Sequence, residues 1–158
     1  MADPPELHDW KPLVEDLATR RDRAYGMGGP ERIERQRSKD KLPVRERVDE
    51  LLDPGTFVEY GLLADHMDPG LAAAGYDHLA ADGMVAGIGG IEGRRVAIMA
   101  YDFTVMGGSM GAVGERKTAR MRELALRWRS PVVWLLDSAG ARIQRATGST
   151  FAGAGALF

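Results

Sequence analysis

Apolar residues recur at helical spacing in the first third of the chain and in short unbroken runs in its second half. Trp10, Leu13, Leu17 and Ala24 form a loose stripe that predicts a helix through Tyr25. Asp9 is its expected cap, and Pro12 falls in the first turn, where proline is tolerated. Gly26-Met27-Gly28-Gly29-Pro30 ends it. Glu31–Lys41 is strongly charged, with Ile33 almost its only apolar residue, and reads as a solvated helical face or as one that attracts a polyanion or an acidic partner. Val44, Val48 and Leu51 predict a short helix over Pro43–Leu52. Asp53-Pro54-Gly55 marks a turn, and Thr56–Tyr60 a short strand. Residues 61–82 show no clear period and read as one long loop, the kind of segment that often carries function.

From residue 83 the grammar changes. Met84–Ile91 and Arg94–Asp102 are apolar runs joined by Glu92-Gly93, the pattern of a β-hairpin. Ala112–Arg129 has Met121, Leu124, Ala125 and Trp128 at helical spacing, so these four are expected in the core. Pro131–Leu136, PVVWLL, is a continuous apolar run of the kind a buried parallel strand shows. Strand, glycine loop, helix, strand, glycine loop is α/β grammar, with ligands expected at the carboxyl ends of the strands. The expected division is a charged helical segment over 1–55 and an α/β unit over 56–158.

Composition narrows the function classes. The chain has 158 residues, 44% hydrophobic and 28% charged, enough for one domain with a core. A net charge of −2 gives no global reason to expect nucleic acid, although ten Lys/Arg against five Asp/Glu between Arg20 and Arg47 make that stretch locally basic. No run approaches the roughly 18 apolar residues that span a membrane. The acidic, proline-rich MADPPELHDW is unlike a secretory signal, so a cytoplasmic protein is expected. Cysteine is absent, which removes disulfide and thiolate chemistry. Neither His66 nor His78 has a second ligand at metal-binding spacing, so no metal site is expected.

The candidate chemistry lies in two glycine loops. Gly107–Gly111, GGSMG, fits the G-x-S-x-G pattern of a hydrolase elbow with Ser109 as nucleophile. That reading needs a histidine base, and none occurs after His78. A phosphate loop ending in Lys117-Thr118 would need glycine where Arg116 stands. A third reading uses the backbone: closely spaced glycines let N–H groups converge on an anion or a developing oxyanion. Gly107–Gly111 and Ser138–Ala141 are such loops, with Arg116, Lys117 and Arg120 after one and Arg142 beside the other. Tight turns and close packing account for the same glycines equally well.

Four segments in order, GGPERIERQ (28–36), LPVRERVDELLDPGTFVE (42–59), DFTVMGGSMG (102–111) and DSAGARIQ (137–144), resemble the carboxyltransferase (β) subunit of biotin-dependent acyl-CoA carboxylases. The resemblance runs from about Gly28 to Phe158. It implies a crotonase-like fold of ββα units and transfer of a carboxyl group from carboxybiotin to the α-carbon of a short-chain acyl-CoA. Such chemistry suits backbone donors, because both the thioester enolate and the biotin oxyanion need N–H groups aimed at them. Acyl-CoA and carboxybiotin are then substrates, with biotin carried on a biotin carboxylase/biotin carrier partner and no cofactor bound covalently to this chain. A homo-oligomer, hexameric in the full-length family, is implied, with neither nucleic acid nor membrane as partner.

Residue by residue, the resemblance assigns CoA contacts to Gly107, Gly108, Ser138, Ala139, Gly140, Ala141 and Arg142. Ala139 and Gly140 are its candidate N–H donors to an oxyanion. Met106 replaces the family's usual phenylalanine, Ala139 its first loop glycine, and Arg145 a common glutamate. The glycine pair that usually serves the acyl-CoA oxyanion, and the second crotonase-like domain, would follow Phe158. The expectation is therefore a truncated part of the first domain that does not turn over alone, its last residues FAGAGALF opening a helix. The alternatives are a non-catalytic acyl-CoA-binding or assembly module and a serine hydrolase using Ser109.

Overall fold

The computed structural model describes residues 10–66, 68–140 and 142. Helix α1 (Lys11–Tyr25) carries proline in its first turn and stops at Gly26. Asp9, its expected cap, lies outside the described residues, and Trp10 in the capping position supplies no side-chain bond. The apolar stripe of α1 does not enter the core: Trp10, Leu13, Val14 and Leu17 stay exposed, and only Ala24 is buried. Helix α2 (Pro30–Arg37) is shorter than the charged segment suggested, because the chain turns at residues 38–40 with Asp40 in the left-handed region. Helix α3 (Val44–Leu51) forms where its period placed it.

A four-stranded sheet follows, in the order β1 (Val58–Glu59), β2 (Met84–Ile91), β3 (Arg94–Tyr101), β4 (Val132–Leu135). The β2–β3 hairpin turns through Glu92 and Gly93, both at positive φ, as a two-residue turn matched to strand twist requires. The Asp53 carboxylate accepts from the N–H groups of Glu92 (3.0 Å) and Gly93 (2.8 Å), which ties the Asp-Pro-Gly turn to the hairpin tip. Strand β4 pairs parallel to β3, so the chain must cross over between them, and α5 (Ala112–Trp128) is that crossover.

Alternation along the hairpin builds two cores. Val85, Val96, Ile98 and Ala100 face α3 and meet Val44, Val48 and Leu52. Met84, Ala86, Ala97, Met99 and Tyr101 face the other way and meet Met121 and Ala125 of α5. One face of the sheet is thus covered by a helix from the charged helical segment, residues 1–55.

Three expectations are corrected here. Residues 61–82 are not one loop: Asp68 accepts from the Gly70 N–H and caps a one-turn helix, α4 (Pro69–Ala73), and a 3-10 turn occupies Ala80–Gly83. Strand β4 is parallel as expected but not fully buried, because it lies at the sheet edge among the described residues, with Val132 44% exposed. Trp128, expected in the core, sits at the end of α5 beneath Arg95, whose guanidinium lies 5.4 Å from its ring centre.

Candidate functional site

The two glycine loops meet at the carboxyl end of the parallel pair. After β3 the chain makes a 3-10 turn at Met106–Gly108, with all three residues at positive φ. After β4 it runs into Asp137–Gly140. Ala139 donates its N–H to the Gly107 carbonyl (2.8 Å), Met110 donates to the Gly140 carbonyl (3.1 Å), and Arg142 donates its N–H to the Met110 carbonyl (3.1 Å). The Ser138 hydroxyl donates to the Gly108 carbonyl (2.6 Å) and accepts from the Gly140 N–H (3.0 Å). Gly107, Gly108, Ser138, Ala139 and Gly140, which the sequence assigned to one site, are therefore neighbours. Ala141 lies outside the described residues, as do Arg145 and the helix expected at FAGAGALF.

The N–H groups of Ala139 and Gly140 are engaged within the loops in this conformation. A sequence shows that a glycine loop is there but not which way its N–H groups face.

Arg142 is also turned inward. It is 4% exposed, and its guanidinium donates to Asp82 Oδ1 (2.6 Å), the Ser109 carbonyl (2.9 Å) and Ser109 Oγ (3.4 Å). Each of its nitrogens has a partner in Asp82 or Ser109, and the side chain holds the loops together. Ser109 is buried beneath this arginine, a group that stays protonated and cannot act as a general base. The other Asp82 oxygen accepts from the Gly114 N–H (2.8 Å), in the first turn of α5.

The cations after the first loop divide. Arg116 and Arg120 are exposed, and Arg120 bonds Glu123. Lys117 is buried, its amine donating to the carbonyls of Ala81 and Met84. Burial pushes its pKa down to about 8, against the pull of Glu59 and Asp82. In the unfolded chain a lysine holds its proton until about pH 10.4. Between those values the unfolded state binds more protons, so this group's cost to folding is full below pH 8 and is relieved as pH rises. The cost is on the order of 3 kcal/mol. Urea unfolding of wild type and Lys117→Met at pH 8 and pH 10 checks this: the wild type should gain stability relative to the variant at the higher pH.

Beside the loops lies a cleft of about 270 Å³ lined by Arg32, Arg35, Gln36, Lys39, Tyr76, Phe103, Thr104, Met106 and Gly107. Arg32, Arg35, Gln36 and Lys39 are spaced to share one side of α2 and the turn after it. Arg32 donates to the Thr104 carbonyl (3.3 Å), whereas Arg35 and Lys39 are exposed. Gln36, part of the lining, donates Nε2 to Asp137 (3.3 Å), which also accepts from Lys41 Nζ (3.1 Å). Sequence reading found the basic excess here but not its place in the site; the 32-35-39 spacing was the available signal. Phe103 and Tyr76 add aromatic surface at the rim. A larger cavity of about 360 Å³ lies against α1, but it shares no residue with the loops. Its Arg23, His78 and Asp65 are bonded to one another in a chain. The smaller, basic cleft is the better candidate because it opens on Gly107.

The described residues contain no group of carboxylates and histidines that could hold a metal ion. They also contain no helix long and apolar enough to cross a membrane.

A hairpin, a crossover helix and a parallel strand, with glycine loops at the strand ends, define the first units of a crotonase-like α/β fold. The chain belongs to the carboxyl transferase domain family, which it matches over residues 35–158. It is 39% identical over 145 residues to the propionyl-CoA carboxylase carboxyltransferase subunit of Haloferax mediterranei, covering 92% of this chain and 28% of that one. Against the propionyl-CoA carboxylase beta chain of Saccharopolyspora erythraea the identity is 38% over 143 residues, with 90% and 26% covered. The crystal structure of transcarboxylase 12S with methylmalonyl-coenzyme A and methylmalonic acid bound superposes with a TM-score of 0.83. That match has 37% identity and covers 98% of this chain and 29% of that one. The chain thus spans little more than a quarter of the length of these curated relatives.

Proposed function

We infer that the chain supplies part of the acyl-CoA side of a biotin-dependent carboxyltransferase that acts on a short-chain acyl-CoA. The observation that carries this is the placement of Gly107, in the zipped loops, on the wall of a cleft bearing Arg32, Arg35 and Lys39. A CoA thioester needs cations for its phosphates and a close-packed backbone wall for its acyl end. Arg35 and Lys39 are proposed phosphate contacts, and Tyr76 and Phe103 offer flat surface to the base. Gly107, Gly108, Ser138, Ala139 and Gly140 form the wall, and Arg142 holds it from behind.

In the proposed reaction the N–C bond of carboxybiotin breaks, the released biotin nitrogen takes the proton lost from the α-carbon, and a C–C bond forms between the α-carbon and the carboxyl carbon. Because the Ala139 and Gly140 N–H groups are committed to the loops, the oxyanion donors are proposed to come from other parts of the site. The carboxyl group arrives on a biotin-carrying partner, and biotin is not proposed to be bound covalently here. A relative from Mycobacterium tuberculosis is a biotin-dependent acetyl-/propionyl-coenzyme A carboxylase subunit, and transcarboxylase 12S assembles as a hexamer. An oligomer of the same kind is proposed, supported by the apolar side chains exposed along the end of α5 and the edge of β4, Leu126, Val132 and Leu136. The cytoplasm, where CoA thioesters are made and used, is the proposed compartment.

Calorimetric titration with CoA tests the cleft. Arg35→Ala/Lys39→Ala should weaken binding about tenfold at low salt, and the difference should shrink at high salt. Equal affinities at low salt would remove the cleft from the proposal and favour a surface used only for assembly.

A further inference from the structure

We propose that Asp82 is the positioning residue of this site, one carboxylate that fastens both glycine loops to the start of α5. The inference deepens the acyl-CoA reading above and rests on it. Asp82 comes from a segment remote in sequence from both loops, and its side chain is fully buried. Each oxygen has its own task. Oδ2 takes the Gly114 N–H in the first turn of α5, and Oδ1 takes Arg142, which in turn grips the carbonyl and hydroxyl of Ser109.

The local geometry would not take this form for helix capping alone. The capping position of α5 is Gly111, which has no side chain to offer. A serine or aspartate there would be the ordinary cap. A Cβ at Gly111 would come within 2.3 Å of Arg142 Nη1 and within 2.7 and 2.8 Å of the two Asp82 oxygens. The local cap is absent because the ion pair occupies its space. The carboxylate is brought instead from Ala81-Asp82-Gly83, three consecutive residues at φ of 49°, 53° and 71°. Two of them are not glycine, and such strain persists only where surrounding structure over-determines it, most often at functional sites. The carboxylate faces both the Arg142 guanidinium and the first turn of α5, so the clamp is electrostatic as well as steric.

Asp82 touches no ligand in this scheme; it acts through Arg142 and α5. Its removal should therefore release the 107–111 loop without touching the cleft cations. Asp82→Asn keeps the shape and the tolerance of left-handed backbone but turns an amide toward Arg142.

The test uses the full-length native protein and four forms: wild type, Asp82→Asn, Asp82→Asn/Arg142→Met and, as a control for loss of a bonded ion pair elsewhere, Glu59→Gln. Glu59 binds Arg45 through two bonds away from the loops. Hydrogen exchange over residues 104–112, in the absence of ligand, should speed at least about tenfold in both Asp82 variants and stay at the wild-type rate in Glu59→Gln. Steady-state kinetics with propionyl-CoA should show kcat/KM down about a hundredfold in Asp82→Asn and unchanged in Glu59→Gln. In the double variant, which leaves no buried guanidinium facing an amide, Tm should recover while kcat/KM does not. Recovery of kcat/KM in step with Tm would overturn the positioning role, as would unchanged exchange over 104–112. Wild-type protein inactive toward propionyl-CoA would instead refute the acyl-CoA reading, and the exchange result would still decide whether Asp82 holds the loop.

Discussion

Gly108→Ala is expected to open the site while leaving the sheet and its two cores folded. Gly108 sits at φ +65, and a Cβ there would come within 2.3 Å of the Asp137 carbonyl and 3.2 Å of Ser138 Cα. Both obstacles are backbone, so no rotamer change relieves them. The left-handed backbone alone costs an L-residue about 1–2 kcal/mol, and the clash must add to that. Cheapest is for the 137–140 segment to move away. That breaks the bonds from Ala139 to the Gly107 carbonyl and from Ser138 to the Gly108 carbonyl. Destabilisation of more than about 2 kcal/mol in urea is expected. A loss of acyl-CoA turnover of about a hundredfold should accompany it, since displacement of about 1 Å suffices for that. Wild-type kinetics in this variant would mean that the loop contact is not part of the site.

The second large effect lies in the core. Met121→Ala is expected to destabilise the protein by about 2–5 kcal/mol, measured by chemical unfolding. Met121 is fully buried where α5 crosses Met84, Met99 and Tyr101. Truncation leaves a cavity that the hairpin cannot fill, because its other face is packed on Val44, Val48 and Leu52. Its helix also carries Gly114 and Lys117, so loosening should reach the Asp82 contact. Faster exchange in the first turn of α5 is the expected accompaniment.

The legible parts of the fold were those with local causes. Glu92-Gly93 could only be a tight turn between two apolar runs, and α5 and β4 formed where period and length placed them. The illegible parts had causes at a distance. The α1 stripe has helical spacing, yet spacing does not say whether anything covers it. The PVVWLL run reads as a strand buried on both faces, but at the sheet edge Val132 and Leu136 face outward.

The site divided in the same way. The two loops were visible as glycines at strand ends, whereas their bonds to each other and the direction of the Ala139 and Gly140 N–H groups were not. Lys117 looked like a phosphate ligand because its place in the helix was visible and its two carbonyl acceptors were not. Asp82 gave almost no signal. The only hint was a helix beginning at Gly111 without a capping side chain, which asks for an acceptor from elsewhere. Such an acceptor cannot be found along the chain, since its partner lies 32 residues away.

The most direct test of the central claim is transfer of carboxyl label from carboxybiotin on the biotin-carrying partner to propionyl-CoA by the full-length native protein. The account predicts label recovered in carboxylated acyl-CoA, with no release of free CoA. Thioester hydrolysis without carboxylated product would contradict it and return Ser109 to the position of nucleophile.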